Sequence, residues 1–94
     1  MSLSVKGETL IWPTDRLTRF EVARLLGARS LQISLGAPIL VKEEQTEASK
    51  IAKHEFKENI IPMTIKRKLP SEEYDVVKIK KAVENWISEH PGEF

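Results

Sequence analysis

Residues 17–40, LTRFEVARLLGARSLQISLGAPIL, begin with a helix start signal and then stay apolar around too much of the helix circumference. Thr18 followed by Glu21 is a capping box, in which each side chain reaches the other residue's backbone amide. Leu17 and Val22 have the spacing of a hydrophobic staple. Gly36 can adopt the left-handed cap and Pro38 cannot continue the ladder, so the helix is predicted over 18–35. On a 100° wheel, Phe20, Val22, Ala23, Leu25, Leu26 and Ile33 sweep more than half of the circumference. Ala28, Leu31 and Leu35 occupy the remaining side. A helix that rests on its own domain keeps a wide polar face. This one does not, so part of it should be covered by another chain.

The size of the protein sharpens that expectation. A chain of 94 residues buries roughly 65% of its unfolded surface, enough for one modest core. Charged residues make up 31% of the sequence but the formal net charge is only +1. That balance fits neither a strongly basic nucleic-acid coat nor a disordered acidic chain. There is no cysteine, so disulfides, thiolate zinc sites and cysteine nucleophiles are excluded. No signal-peptide-like run and no stretch long enough to span a membrane is present, and a cytoplasmic location is the default expectation.

The rest of the chain reads as one domain over 17–90 behind an extended or flexible arm, 1–16, in which Gly7 and Pro13 break any periodicity. Ile11 and Trp12 either dock on the core or anchor a partner. A second helix is predicted over 46–58, with Ala48, Ile51, Ala52 and Phe56 as its apolar stripe and Glu55 at the stripe's edge. In IIPMTIKRKLP, Ile61, Met63 and Ile65 alternate with Pro62, Thr64 and Lys66, which predicts a half-buried strand over 61–68. Its mate could be 39–41, 75–77 or another protein. A third helix is predicted over 76–88, capped by Ser71 or Asp75, with Val76, Ile79, Val83, Trp86 and Ile87 facing inward. The fold class is mainly α with a short β element.

No assembled chemistry is visible. His54 and His90 lie in different elements without metal-ligand spacing, and no phosphate-binding or zinc-protease motif occurs. No cofactor, metal or catalytic residue is therefore expected. Arg24 and Arg29 sit among leucines and valine on the first helix. They either snorkel to water or pair with a partner's carboxylates or carbonyls. Gln32 and Ser34 add polar groups beside them. Gly27 is either a tolerated mid-helix glycine or a site of close backbone approach. The basic runs 66–68 and 78–81 could be a solvated edge, a contact for an acidic protein, or a nucleic-acid backbone contact. The last would make the chain a small free-standing nucleic-acid-binding module, although no stacking aromatics are interleaved with the lysines.

Three separated blocks, LTRFEVARLLGARSLQISLGAPIL, A…IA..EF and IIPMTIKRKLP, resemble in order the Rpb6/omega family of small RNA polymerase subunits. The archaeal member is subunit K, and the short N-terminal part resembles that form. The resemblance covers roughly 17–70. It implies a non-catalytic subunit of DNA-directed RNA polymerase, with two central helices plus adjacent loops, a strand and a C-terminal helix. Such a subunit clamps the C-terminal region of the largest subunit to the enzyme body and assists assembly. The implied partners are the largest subunit and other polymerase subunits, with no dominant DNA contact, no membrane and no obligate homo-oligomer. Residue pattern and resemblance together nominate Phe20, Arg24, Leu25, Gly27, Ala28, Arg29, Leu31, Gln32, Gly36, Pro38, Glu55 and Arg67 as partner-contact candidates.

Overall fold

Thr18 starts the first helix, α1 (Arg19–Ser34), by the predicted capping box. The Glu21 amide donates to Thr18 Oγ1, and the Thr18 amide donates to a Glu21 carboxylate oxygen, both at 3.0 Å. At the other end the Gly36 amide bonds the Ile33 carbonyl and the Ala37 amide bonds the Gln32 carbonyl. This is a Schellman cap, and Gly36 takes the positive φ of 99° that it requires. The structure, a computed structural model, describes residues 3–5, 8–10, 12–42 and 46–94, with backbone alone for the first two segments. Gly7 and Ile11 lie outside the described residues.

Along the chain, β1 (Leu3–Val5) and β2 (Glu8–Leu10) pair antiparallel, with Leu3 opposite Leu10. After α1 comes α2 (Ala48–Lys57), then β3 (Lys66–Lys68), β4 (Tyr74–Val76) and α3 (Ile79–Glu89). The second helix buries Ile51, Ala52, Glu55 and Phe56, the predicted stripe with its edge residue included. It ends in a second Schellman cap, in which Asn59 stands in for glycine at φ 58°. The two helices pack against each other, and the core gathers Leu17, Val22, Leu25, Phe56, Ile61, Val77, Ala82, Val83 and Trp86. Phe94 closes one end of it, edge-on to Phe56 at 5.4 Å between ring centroids.

Two predicted boundaries move by three residues or more. Inward-facing positions alternate from Ile61 through Met63 and Ile65 to Arg67, as a half-buried strand requires, yet only 66–68 form a ladder. Pro62 has no amide to donate, and the mate, β4, is only three residues long. Of the three possible mates, the chain uses its own downstream segment, with Arg67 opposite Asp75. The third helix starts at Ile79 instead of 76 because Tyr74–Val76 is held extended in β4, and the next two amides continue that tie. Val77 donates to the Ile65 carbonyl and Lys78 to the Thr14 carbonyl. Val76 therefore lies exposed in β4, and neither Ser71 nor Asp75 caps α3, whose N-cap is Lys78.

Residues 12–16, assigned by the sequence to an arm, are tied down. Besides Thr14, the Asp15 carbonyl accepts from Asn85 Nδ2 at 2.8 Å. Arg67 binds the carbonyls of Trp12, Pro13 and Arg16. Trp12 is half-buried beside Trp86 and His90 at the end of α3.

Candidate functional site

Two buried arginine–glutamate pairs hold the surface that α1 presents. The first lies between α1 and α2. Arg29 is 2% exposed and Glu55 0%. Arg29 Nε donates to Glu55 Oε1 at 2.5 Å and Nη2 to Oε2 at 3.1 Å, a bidentate fork. Its remaining donors reach Gln32 Oε1 at 3.1 Å and the Pro38 carbonyl at 2.7 Å. Glu55 Oε2 also accepts the Leu40 amide at 3.0 Å. Burial alone raises the Glu55 carboxyl, but Arg29 and the Leu40 amide outweigh it and hold the pKa below the ordinary carboxylate value. The pair thus straps the chain leaving α1 onto α2, with Ile39 and Leu40 facing solvent.

The second pair joins α1 to β3. Arg67 uses all five of its donors. Two go to Glu21, Nε to Oε2 and Nη2 to Oε1, both at 2.8 Å. The others go to the carbonyls of Trp12, Pro13 and Arg16. Burial pushes the Glu21 carboxyl up, but Arg67 and the Thr18 amide pull it down further, to about 2.

These networks correct part of the sequence reading. Arg29 and Glu55 are buried against each other, while Gln32 and Pro38 each accept a hydrogen bond from Arg29 and remain exposed. Arg29 neither snorkels to water nor reaches outward, and Arg67 is not part of an exposed basic run. The other cations of the runs are partly matched too. Lys68 pairs with Glu72 at 3.1 Å and Lys81 with Glu84 at 3.7 Å, while Lys80 donates to the Asn59 carbonyl. Gly36 serves the helix cap, and Leu25 is in the core.

The remaining candidates form a surface. Val22, Leu25 and Arg29 turn inward, and the opposite side of α1 carries Phe20, Ala23, Gly27, Leu31 and Leu35 outward. Phe20 is 55% exposed, Leu31 60% and Leu35 78%. Arg24 lies on the same side, its guanidinium 5.3 Å above the Phe20 ring. Phe20, Arg24 and Ala28, with Leu25 and Arg67 behind them, also form one wall of a groove of about 500 Å³ against residues 63–68. The exposure of Ile39, Leu40, Tyr74 and Val76 was not anticipated for this surface. For Val76 and Tyr74 the missing signal was the hairpin register, which puts them opposite Lys66 and Lys68.

Gly27 faces open space, and among the described residues a β-carbon built there meets no atom beyond its own helix within 4 Å. No backbone among the described residues explains it. Gly27→Ala is therefore expected to stabilise the isolated protein by about 1 kcal/mol, read from its urea midpoint. The same change should weaken assembly if a partner backbone packs on that spot.

Among the described residues, no group of His, Asp or Glu side chains is placed to hold a metal ion. No helix there is long and apolar enough to cross a membrane. No family-wide sequence profile matches the chain. Individual relatives do. The DNA-directed RNA polymerase subunit Rpo6 of Archaeoglobus fulgidus is 51% identical over 51 residues, which cover 54% of this chain and 68% of that protein. Subunit Rpo6 of Saccharolobus solfataricus is 38% identical over 71 residues, 72% of this chain and 75% of that protein. The probable subunit RPABC2 of DNA-directed RNA polymerases I, II and III from Caenorhabditis elegans is 43% identical over 63 residues, 66% of this chain and 46% of that protein. With identity of this level across three quarters of the Saccharolobus relative, and a mainly helical fold carrying a short antiparallel hairpin, the chain belongs to the Rpb6/omega family of DNA-directed RNA polymerase subunits.

Proposed function

We propose that this chain is a non-catalytic assembly subunit of DNA-directed RNA polymerase that clamps the C-terminal region of the largest subunit to the enzyme body. The observation that carries the reading is the line of Phe20, Leu31 and Leu35, large apolar side chains left outward on the central helix. Covering the exposed part of each is worth about 1–2 kcal/mol of transfer free energy, before the cost of association. The helix that bears them is rigid before a partner arrives, because its caps and both buried ion pairs are formed within the chain. A preformed face loses little conformational entropy on docking. It can therefore hold a flexible chain end of a large subunit and stabilise the assembled state by mass action.

The test is Leu31→Glu combined with Leu35→Glu. Both side chains are exposed, so the isolated variant should melt within a few degrees of the wild type. Its recovery with the largest subunit in a reconstitution should fall at least tenfold, because two charges would be buried without partners. Equal recovery of wild type and variant would refute the reading.

A further inference from the structure

Residue β3 register and groove geometry together leave one edge of the hairpin open. The Ile65 carbonyl accepts from the Val77 amide, and the Leu69 amide donates to the Glu73 carbonyl. Bonded pairs alternate along an antiparallel ladder, so Arg67 with Asp75 is the bonded pair between them. The amides and carbonyls of Lys66 and Lys68 therefore point away from β4. No second strand pairs with β3 among the described residues. The groove lies on that open side, since its lining takes residues 63–68 and the α1 residues Phe20, Arg24 and Ala28 but nothing from β4. An unpaired strand edge beside an apolar wall is a template for one more strand.

We propose that this groove receives an extended segment of a partner polypeptide, added to β3 as a third strand, with alternating apolar and acidic residues. The proposal rests on the polymerase-subunit reading and specifies how part of the partner is held. Side chains of an added strand alternate between two faces. Those on the inner face, the side on which Arg67 reaches Glu21, would lie against Phe20, Ala28 and Met63. Those on the outer face would lie beside Lys66 and Lys68, and Arg24 stands at the rim. Among the described lining residues Glu21 is the one carboxylate, and it is bound by Arg67. Lys68 is matched in part by Glu72, so Lys66 and Arg24 carry the groove's net positive rim, which selects an acidic segment over a basic one. The open edge runs through Lys66–Lys68 and the lining continues back to Met63, a six-residue span of up to about 20 Å.

Site-resolved amide exchange distinguishes this arrangement from side-chain docking alone. In the free protein the Arg67 and Leu69 amides, bonded across the hairpin to Asp75 and Glu73, should exchange slowly, and the Lys66 and Lys68 amides fast. In reconstituted polymerase containing the chain, Lys66 and Lys68 should slow at least tenfold. A companion pair of variants separates the backbone from the charge. Lys66→Pro removes the edge donor, which is not a hairpin donor, and should lower recovery with the largest subunit at least tenfold. Lys66→Ala keeps that donor and should lower recovery about threefold or less, in line with one exposed charge. Fast exchange at Lys66 and Lys68 in a polymerase that does contain the chain would overturn the added strand while leaving the assembly role intact. So would slowing produced by single-stranded RNA alone, which would reassign the edge to nucleic acid. Failure of the wild-type chain to enter the polymerase at all would overturn both.

Discussion

Arg29→Met is expected to destabilise the isolated protein by about 3–5 kcal/mol in urea, a large share of the total stability of a domain this size. The methionine fills much of the arginine's volume, so packing loss is not the main term. The main term is Glu55, left charged at 0% exposure with the Leu40 amide as its remaining hydrogen bond among the described residues. Glu55→Leu should cost a similar amount by stranding the guanidinium. The double variant, Arg29→Met with Glu55→Leu, should recover most of the loss, because no unpaired charge remains. Recovery should stop about 1–3 kcal/mol short of the wild type. The Pro38 carbonyl and the Leu40 amide would still lack the partners that Arg29 and Glu55 provide. A double-mutant cycle gives the coupling energy directly. A cycle showing additive losses would mean that the two side chains do not interact as described. Faster exchange of the Leu40 amide in the double variant would locate the residual loss in the strap after α1.

This arrangement also shows where sequence reasoning reaches and where it stops. Local chemistry was readable. The capping box at Thr18 and the glycine cap at Gly36 bound α1, and the stripe through Ile51, Ala52 and Phe56 sets the buried side of α2. Each depends on residues within a few positions of each other. Elements competing for the same amides were harder to read. The apolar spacing of Val76, Ile79 and Val83 suits a helix, but Val76 belongs to β4 and the Val77 and Lys78 amides are engaged by Ile65 and Thr14. Helix propensity could not reveal those long-range bonds. The arginine partners were least readable, since Glu21 and Arg67 are 46 residues apart and Arg29 and Glu55 are 26 apart. A signal did exist for Arg67. It shares odd-numbered parity with Ile61, Met63 and Ile65, so the strand alternation that turns those inward turns Arg67 inward too. Reading 66–68 as one basic run hid that. Among the apolar residues of α1 the sequence nominates Phe20 and Leu31, which do face outward, but also Leu25, which is buried, and it passes over Leu35, because the wheel cannot tell which sector α2 covers.

Arg67→Met should cost as much as loss of the Arg29 pair, about 3–5 kcal/mol, and its cost should depend on pH in a particular sense. In the folded wild type the Glu21 carboxyl titrates at about 2, against 4.5 for an ordinary glutamate. A lowered folded pKa means that the unfolded chain takes up the proton first. The stabilisation is therefore fully present above about pH 5 and drains away as the pH falls toward 2. The shift corresponds to about 2–3 kcal/mol once some screening is allowed for. In Arg67→Met the burial that opposes ionisation of Glu21 remains while the strongest stabilising contact is gone. Its carboxyl then titrates higher, and acid relieves the variant's buried charge instead of removing a favourable pair. Urea midpoints measured for both proteins between pH 7 and pH 2.5 should accordingly converge by about 2–3 kcal/mol. Other carboxylates titrate in both proteins and largely cancel in the difference. A residual gap should persist at the acid end, because the carbonyls of Trp12, Pro13 and Arg16 have lost their donor at every pH. A gap that stays constant across the range would show that Arg67 stabilises the fold through those carbonyls alone. In that case Glu21 would act on α1 only as its cap.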